Sequence, residues 1–206
     1  MEPEQRFWSW FAANSARFLK SETDVSTLSD ELAAALRRVR RGLTFELSRK
    51  FDYGRELIIS ADGIKDRFPA VQKLVAAAPD LDGWRIVAFR QRGGTNLIVE
   101  FSGYRLDPED VWFKVVADKK KVGLYLLLPQ ASQACERTTG MASFILLDHA
   151  LGEYDVEMKL GFIECLPLPS RGLSSNGTEN RNKERRLLGP LVGNAQGSQL
   201  TPLHRL

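Results

Sequence analysis

The chain has few of the residues that enzymes and metalloproteins most often use. It contains two cysteines, Cys135 and Cys165, and of its two histidines only His149 lies before residue 168. Two isolated cysteines indicate neither a disulfide scaffold nor a zinc site. A glycine-rich phosphate loop and a Gly-x-Ser-x-Gly elbow are also missing. We therefore expect no cofactor, no metal and no catalytic residue of a recognised motif.

Long hydrophobic runs and a secretion signal are missing as well. The longest apolar candidates, Leu124–Leu128 and Phe144–Leu147, fall far short of the roughly 18 residues that a transmembrane helix needs. The amino terminus is acidic, whereas a signal peptide begins with basic residues and continues as an unbroken apolar run. These features predict a cytoplasmic protein without a membrane partner.

Large apolar residues become less frequent after about residue 167. The segment 168–206 contains no aromatic residue and is rich in serine, asparagine and glycine. Such a segment cannot bury enough apolar surface to offset the entropy lost on ordering. The sequence therefore predicts one domain over residues 1–167 and a disordered polar tail over 168–206.

The excess of positive charge belongs to this tail. Residues 1–167 carry 23 Lys and Arg against 24 Asp and Glu, a net −1, and residues 168–206 carry 6 against 2, a net +4. The body thus lacks the positive field typical of nucleic-acid binding. Four arginines within residues 37–41 and the run Lys119–Lys121 still leave an RNA-binding regulator as an alternative.

Hydrophobic periodicity gives the order of elements. Apolar residues at helical spacing predict helices over 4–19, 27–41, 66–78 and 142–151. Strands are predicted over 43–47, 57–59, 84–89, 97–101, 111–116, 122–128 and 155–163. In the last of these, Val156, Met158, Leu160 and Phe162 alternate with residues that are polar or glycine.

This order predicts an α+β fold with a largely antiparallel sheet and helices packed on one face. The strand–helix–strand segments 56–89 and 122–163 have the length of crossover units. Two such crossovers would suit a ferredoxin-like core.

Three stretches of the sequence resemble parts of other proteins. Glu56–Gly63, Phe68–Val71 and Asp148–Glu157 are similar to stretches of a group of small bacterial proteins with no assigned activity. The resemblance covers most of the body and stops before the tail. It implies a bacterial origin and one compact domain, and it implies no activity or site residue.

The densest polar cluster is His149, Glu153, Asp155 and Glu157. Asp155 and Glu157 share one face of the predicted strand, so the cluster could bind a divalent metal or act as an acid–base pair. Charged residues are also normal on the outer face of a half-buried strand, and a helix end favours histidine. A small enzyme that uses this cluster is thus an alternative hypothesis.

The amino-terminal helix is unusually aromatic. Phe7, Trp8, Trp10, Phe11 and Phe18 supply more aromatic surface than one helix face normally buries, and tryptophan is favoured as an interface anchor. We predict that Trp8, Trp10 and Phe11 bind a partner, with Trp10 exposed, and that the partner is another protein or a second copy. The sequence thus favours a non-enzymatic interaction module in a regulatory, immunity-like role.

Overall fold

The structure is a computed structural model that describes residues 1–20, 25–52, 54–129, 136–168 and 201–202. Cys135 and most of the predicted tail lie outside these residues. The chain divides into two compact units. The first unit is Met1–Arg92 with Leu151–Met158, and the second unit is Gly93–Ala150 with Lys159–Leu206. The expectation of one domain over 1–167 stays a prediction.

Both units contain helices and strands. The α-helices of the described residues are α1 (Pro3–Lys20), α2 (Val25–Val39), α3 (Phe68–Ala76), α4 (Glu136–Leu151) and α5 (Glu153–Lys159). The strands are β1 (Thr44–Leu47), β2 (Arg55–Ser60), β3 (Trp84–Ala88), β4 (Val99–Phe101), β5 (Tyr104–Leu106), β6 (Trp112–Asp118), β7 (Lys121–Leu128), β8 (Leu160–Pro167) and β9 (Thr201–Pro202). Single 3-10 turns occur at Lys65–Arg67 and Pro108–Asp110.

The first unit contains a sheet in the order β1-β2-β3. β1 pairs antiparallel with β2, and β2 pairs parallel with β3 after the crossover through α3. α1 begins at Pro3, whose fixed φ suits the first turn, and its apolar stripe is buried. This stripe joins Leu32 and Leu36 of α2 and Leu57 of β2 in one hydrophobic core.

The second unit contains a sheet in the order β8-β7-β6-β9 and the hairpin β4-β5. β6 and β7 form an antiparallel pair, and α4 lies in the connection from β7 to its parallel neighbour β8. Two residues from the segment predicted to be disordered, Thr201 and Pro202, pair with Phe113 and Trp112 of β6.

The predicted α+β class is confirmed, and both predicted crossovers join parallel strands. Antiparallel pairing predominates, with one parallel pair in each of the two larger sheets described. The crossovers lie in separate sheets, and in each the parallel strands are direct neighbours. Neither sheet by itself therefore shows a ferredoxin-like arrangement.

The predicted strand over 155–163 is wrong in its first half. Gly152, at φ +85°, ends α4, and residues 153–159 form the short helix α5 before β8 begins at Leu160. Glu153 and Val156, three positions apart, are the buried residues of α5. A buried apolar residue at position 153 would have shown the helical spacing with Val156. Because position 153 is a glutamate, only the apolar residues from Val156 onward were visible, and these alternate as in a strand.

Candidate functional site

The aromatic amino-terminal helix belongs mainly to the core of the first unit. Trp8 and Phe11, two of the predicted partner-binding residues, are buried. The indole Nε1–H of Trp8 donates to the Leu74 carbonyl oxygen at 2.8 Å. The Phe11 ring meets the Trp84 ring edge to face, with 4.9 Å between their centroids. These contacts give both side chains a structural role within the unit.

Trp10 is partly buried and packs against the same core. Its ring centroid lies 6.3 Å from that of Phe7 and 6.4 Å from that of Phe18, both within the range of favourable aromatic pairs. The prediction that Trp10 is exposed is therefore wrong, because its indole ring is partly buried.

His149 is positioned by the loop that opens the second unit. Its carbonyl oxygen accepts a hydrogen bond from the Gly93 N–H at 2.7 Å, and its ring Nε2 lies 3.5 Å from Asn96 Oδ1. The imidazole occupies the space that a side chain at position 93 would need, which explains the glycine there.

Glu153 is completely buried in the first unit and is bound by main-chain donors. Its Oε1 accepts hydrogen bonds from the N–H groups of Ala61 at 3.0 Å and Gly63 at 3.1 Å. Its Oε2 accepts one from the Arg90 N–H at 3.2 Å. These donors follow the carboxyl ends of the parallel strands β2 and β3, where turning main chains leave amides without sheet partners.

The local backbone creates this pocket of amides. Asp62 and Gly63 have φ values of +56° and +69°, and Phe89 has +64°. Left-handed residues of this kind bring successive N–H groups to one side, where they can hold an anion. In this protein the anion is the Glu153 carboxylate, which fastens the start of α5 to both loops.

The other members of the polar cluster have separate surroundings. Asp155 pairs with Arg92, with 3.7 Å between Oδ2 and Nη2, and Glu157 lies beside Gly63. Within the part of the chain that the structure describes, no group of three or more His, Cys, Asp or Glu residues could hold a metal ion. The residues of the cluster therefore share a stretch of sequence without forming a metal centre there.

The two basic clusters belong to different units. Four exposed arginines follow one another at the end of α2 in the first unit, within residues 37–41. Lys119 and Lys120 form the turn between β6 and β7 in the second unit, and Lys121 begins β7, where its Nζ donates to the Leu160 carbonyl oxygen at 2.9 Å.

Cys165 is a free, half-buried thiol on β8. Its Sγ donates to Ser143 Oγ of α4 at 3.3 Å. Burial raises the pKa of this thiol, an effect that the hydrogen bond between Cys165 and Ser143 only partly opposes. A thiol with a raised pKa is a poor nucleophile near neutral pH, so Cys165 lacks the activation of a catalytic cysteine.

The structure reveals a surface that the sequence analysis missed. One side of α4 is buried through Thr139, Ala142, Ser143, Leu146, Leu147 and Ala150. On the other side, Met141, Phe144 and Ile145 are exposed by 44%, 43% and 38%. At 100° per residue these three form one stripe centred opposite the buried side. We call them the outer stripe of α4.

An α-helix that is apolar on all sides is normally buried on all sides. The sequence signal was therefore present in Met141, Phe144 and Ile145, which do not fit the one-sided stripe that a surface helix needs. It could not be interpreted without knowing which side of α4 packs on its own unit.

No helix among the described residues is long and apolar enough to cross a membrane. Comparison of the chain with protein-family models, curated proteins and solved structures found no match in any of the three.

Proposed function

We propose that the protein is a non-enzymatic protein-interaction module whose binding surface is the outer stripe of α4. The observation that carries this proposal is the exposure of Met141, Phe144 and Ile145 on the side of α4 opposite its buried side. A partner that covers the stripe removes this apolar area from water, and this is the main driving force of most protein association.

Isolated apolar residues on a surface are normal, and the exposed Ile98 is an example. The outer stripe differs because its three members are neighbours within about one turn of helix. Contiguous apolar patches of this kind mark interaction sites on proteins that are otherwise well packed. The spacing i, i+3, i+4 is also the anchor pattern of helices that bind a groove or another helix.

The surroundings of Glu153 support binding over the alternative of a small enzyme. A carboxylate that accepts three main-chain hydrogen bonds in a buried position is held for structure, and it is not placed to exchange protons with a substrate. A regulatory role, including the immunity-like role expected from the sequence, needs only that the bound partner be blocked or recruited.

The proposal can be tested by photo-crosslinking in the organism that makes the protein. A photo-reactive phenylalanine analogue is placed at position 144, and in a control chain at position 98, which is equally exposed but outside the stripe. We expect a discrete adduct from position 144 that position 98 does not give. The captured protein is identified, purified and titrated against the wild type.

Phe144→Glu should weaken binding of that purified partner tenfold or more, because a charge is then pressed against an apolar surface. Ile98→Glu should leave the affinity unchanged. The proposal is refuted if position 144 gives no adduct, or if Phe144→Glu binds the captured partner as tightly as the wild type.

A further inference from the structure

The first unit has a local excess of positive charge that the near-neutral body conceals. Four exposed arginines lie at the end of α2. The guanidinium of Arg67, from the 3-10 turn after β2, lies directly against Gly42, and its Nη1 donates to the Gly42 carbonyl oxygen at 3.1 Å. Because Gly42 follows the four arginines in the chain, all five guanidinium groups lie around the carboxyl end of α2. We call these five residues, Arg37, Arg38, Arg40, Arg41 and Arg67, the arginine patch.

The arginine patch forms no ion pair with an acidic residue of the described chain. Elsewhere in the first unit, arginines do pair with carboxylates, and Arg17 with Glu31 is an example. Residues 37–42 and 64–67 together carry six cationic side chains and one carboxylate, that of Asp66. The positive charge at this end of α2 is therefore not compensated by the described part of the protein.

Stability of the fold does not explain this grouping. Basic side chains near the end of a helix can cap it by donating to its last carbonyl oxygens. None of the four arginines at the end of α2 makes such a side-chain hydrogen bond to a described residue. Their attraction to the helix dipole is opposed by the repulsion between like charges placed this close together. A ligand that neutralises these charges would supply the missing reason for the grouping.

The chemistry of the patch indicates which ligand it fits. Guanidinium groups bind phosphate oxygens through two parallel hydrogen bonds. Residues 37–42 and 64–67 contain no aromatic side chain on which a base could stack, and only one large apolar residue there, Ile64, is exposed. Binding of a single strand relies on stacking, membrane binding on inserted apolar surface, and protein binding on an apolar interface core.

A nucleic-acid duplex, in contrast, is held chiefly through its backbone phosphates. We infer that the arginine patch binds the backbone phosphates of a nucleic-acid duplex without selecting its base sequence. This site goes beyond the proposed function and is independent of it, because the outer stripe of α4 belongs to the second unit.

The test is fluorescence anisotropy of a short labelled DNA duplex of mixed sequence, titrated with the full chain at several salt concentrations. The patch variant combines Arg37→Gln with Arg41→Gln. The matched control combines Arg49→Gln with Lys50→Gln, which removes two exposed charges beyond the opposite end of β1. The basic tail is present in every variant, so the comparison isolates the effect of the patch.

At physiological salt the patch variant should bind the duplex at least tenfold more weakly than the wild type. The slope of the logarithm of affinity against the logarithm of salt concentration should become shallower by about 2, because two phosphate contacts are lost. The control variant should stay within about threefold of the wild type. The melting temperature of the patch variant should be no lower than that of the wild type, since removal of like charges relieves repulsion.

Arg67→Gln provides an independent arm, because Arg67 lies 25 residues from Gly42 in sequence and joins the patch only through the fold. It should also weaken binding of the duplex several-fold, and a thermal melt establishes that the variant is folded.

A patch variant that binds the duplex as tightly as the control variant does overturns the inference. A wild-type chain that prefers a single strand of the same sequence to the duplex overturns it too. Binding to vesicles of phosphatidylcholine and phosphatidylserine without binding to the duplex, with a loss in Ile64→Ser, would instead assign the patch to a membrane surface and overturn the inference.

Discussion

Replacing Glu153 by glutamine removes one carboxylate oxygen from a site with three main-chain donors. If the amide oxygen keeps the hydrogen bonds from Ala61 and Gly63, the new NH2 group faces the N–H of Arg90, and two donors oppose each other. The variant loses a charge-assisted hydrogen bond, worth about 1.5–3 kcal/mol, and leaves buried donors unsatisfied, at about 1–3 kcal/mol. We therefore expect the free energy of unfolding to fall by about 3 kcal/mol.

Denaturant unfolding measures the total loss, and amide hydrogen exchange locates it. In Glu153→Gln the main-chain amide hydrogen of Arg90 should exchange faster than in the wild type. If the start of α5 also detaches from the loops, the amide hydrogens of Ala61 and Gly63 should exchange faster as well. Asp155→Asn is the matched control on the same helix. Its partner Arg92 is exposed, so the loss should stay below about 1 kcal/mol. Equal losses for both variants would refute the structural role of Glu153.

Two further predictions concern other parts of the chain. Trp10→Ala should destabilise the first unit by about 1–3 kcal/mol, because the Trp10 ring packs on Phe7 and Phe18. The loss should be smaller than for a fully buried tryptophan, because Trp10 is only partly buried. A melting temperature unchanged from the wild type would show that the ring makes no stabilising contact. In a Cys135→Ser background, folded Cys165 should react with iodoacetamide more slowly than the same thiol in the denatured chain. Because burial raises the pKa of this thiol, the pH at which its reaction rate levels off should be higher than for the denatured chain. Fast reaction of the folded chain at neutral pH would contradict the burial of this thiol, and the denatured chain is the reference.

Local signals in the sequence predicted most of the elements. Gly42 and Gly152, which directly follow the helices predicted over 27–41 and 142–151, both have φ +85°, a conformation that glycine adopts without strain. Each crossover was predicted from the length of a strand–helix–strand segment. The pairing of these strands in two sheets could not be predicted, because it depends on contacts between distant parts of the chain.

Long-range contacts also explain the errors at the candidate sites. The donors to Glu153 lie 63 to 92 residues away in sequence, so nothing near Glu153 indicated that its charge would be satisfied inside the protein. The aromatic surface of α1 looked excessive for one helix face. Trp84 of β3 lies against Phe11 and Phe18 of this helix, and it lies far from both in the chain.

Burial reverses the roles that residue type alone suggests. Charged residues indicated chemistry and apolar residues indicated core, yet Glu153 is a buried structural anchor and Phe144 is exposed. Folding tolerates a buried carboxylate only where donors satisfy it, so its hydrogen bonds account for its presence fully. An exposed apolar stripe gains nothing from its own chain, and folding gives no reason to keep it. The part of the molecule that intrachain stability leaves unexplained is therefore the outer stripe of α4, and binding of a partner would give a reason to keep it.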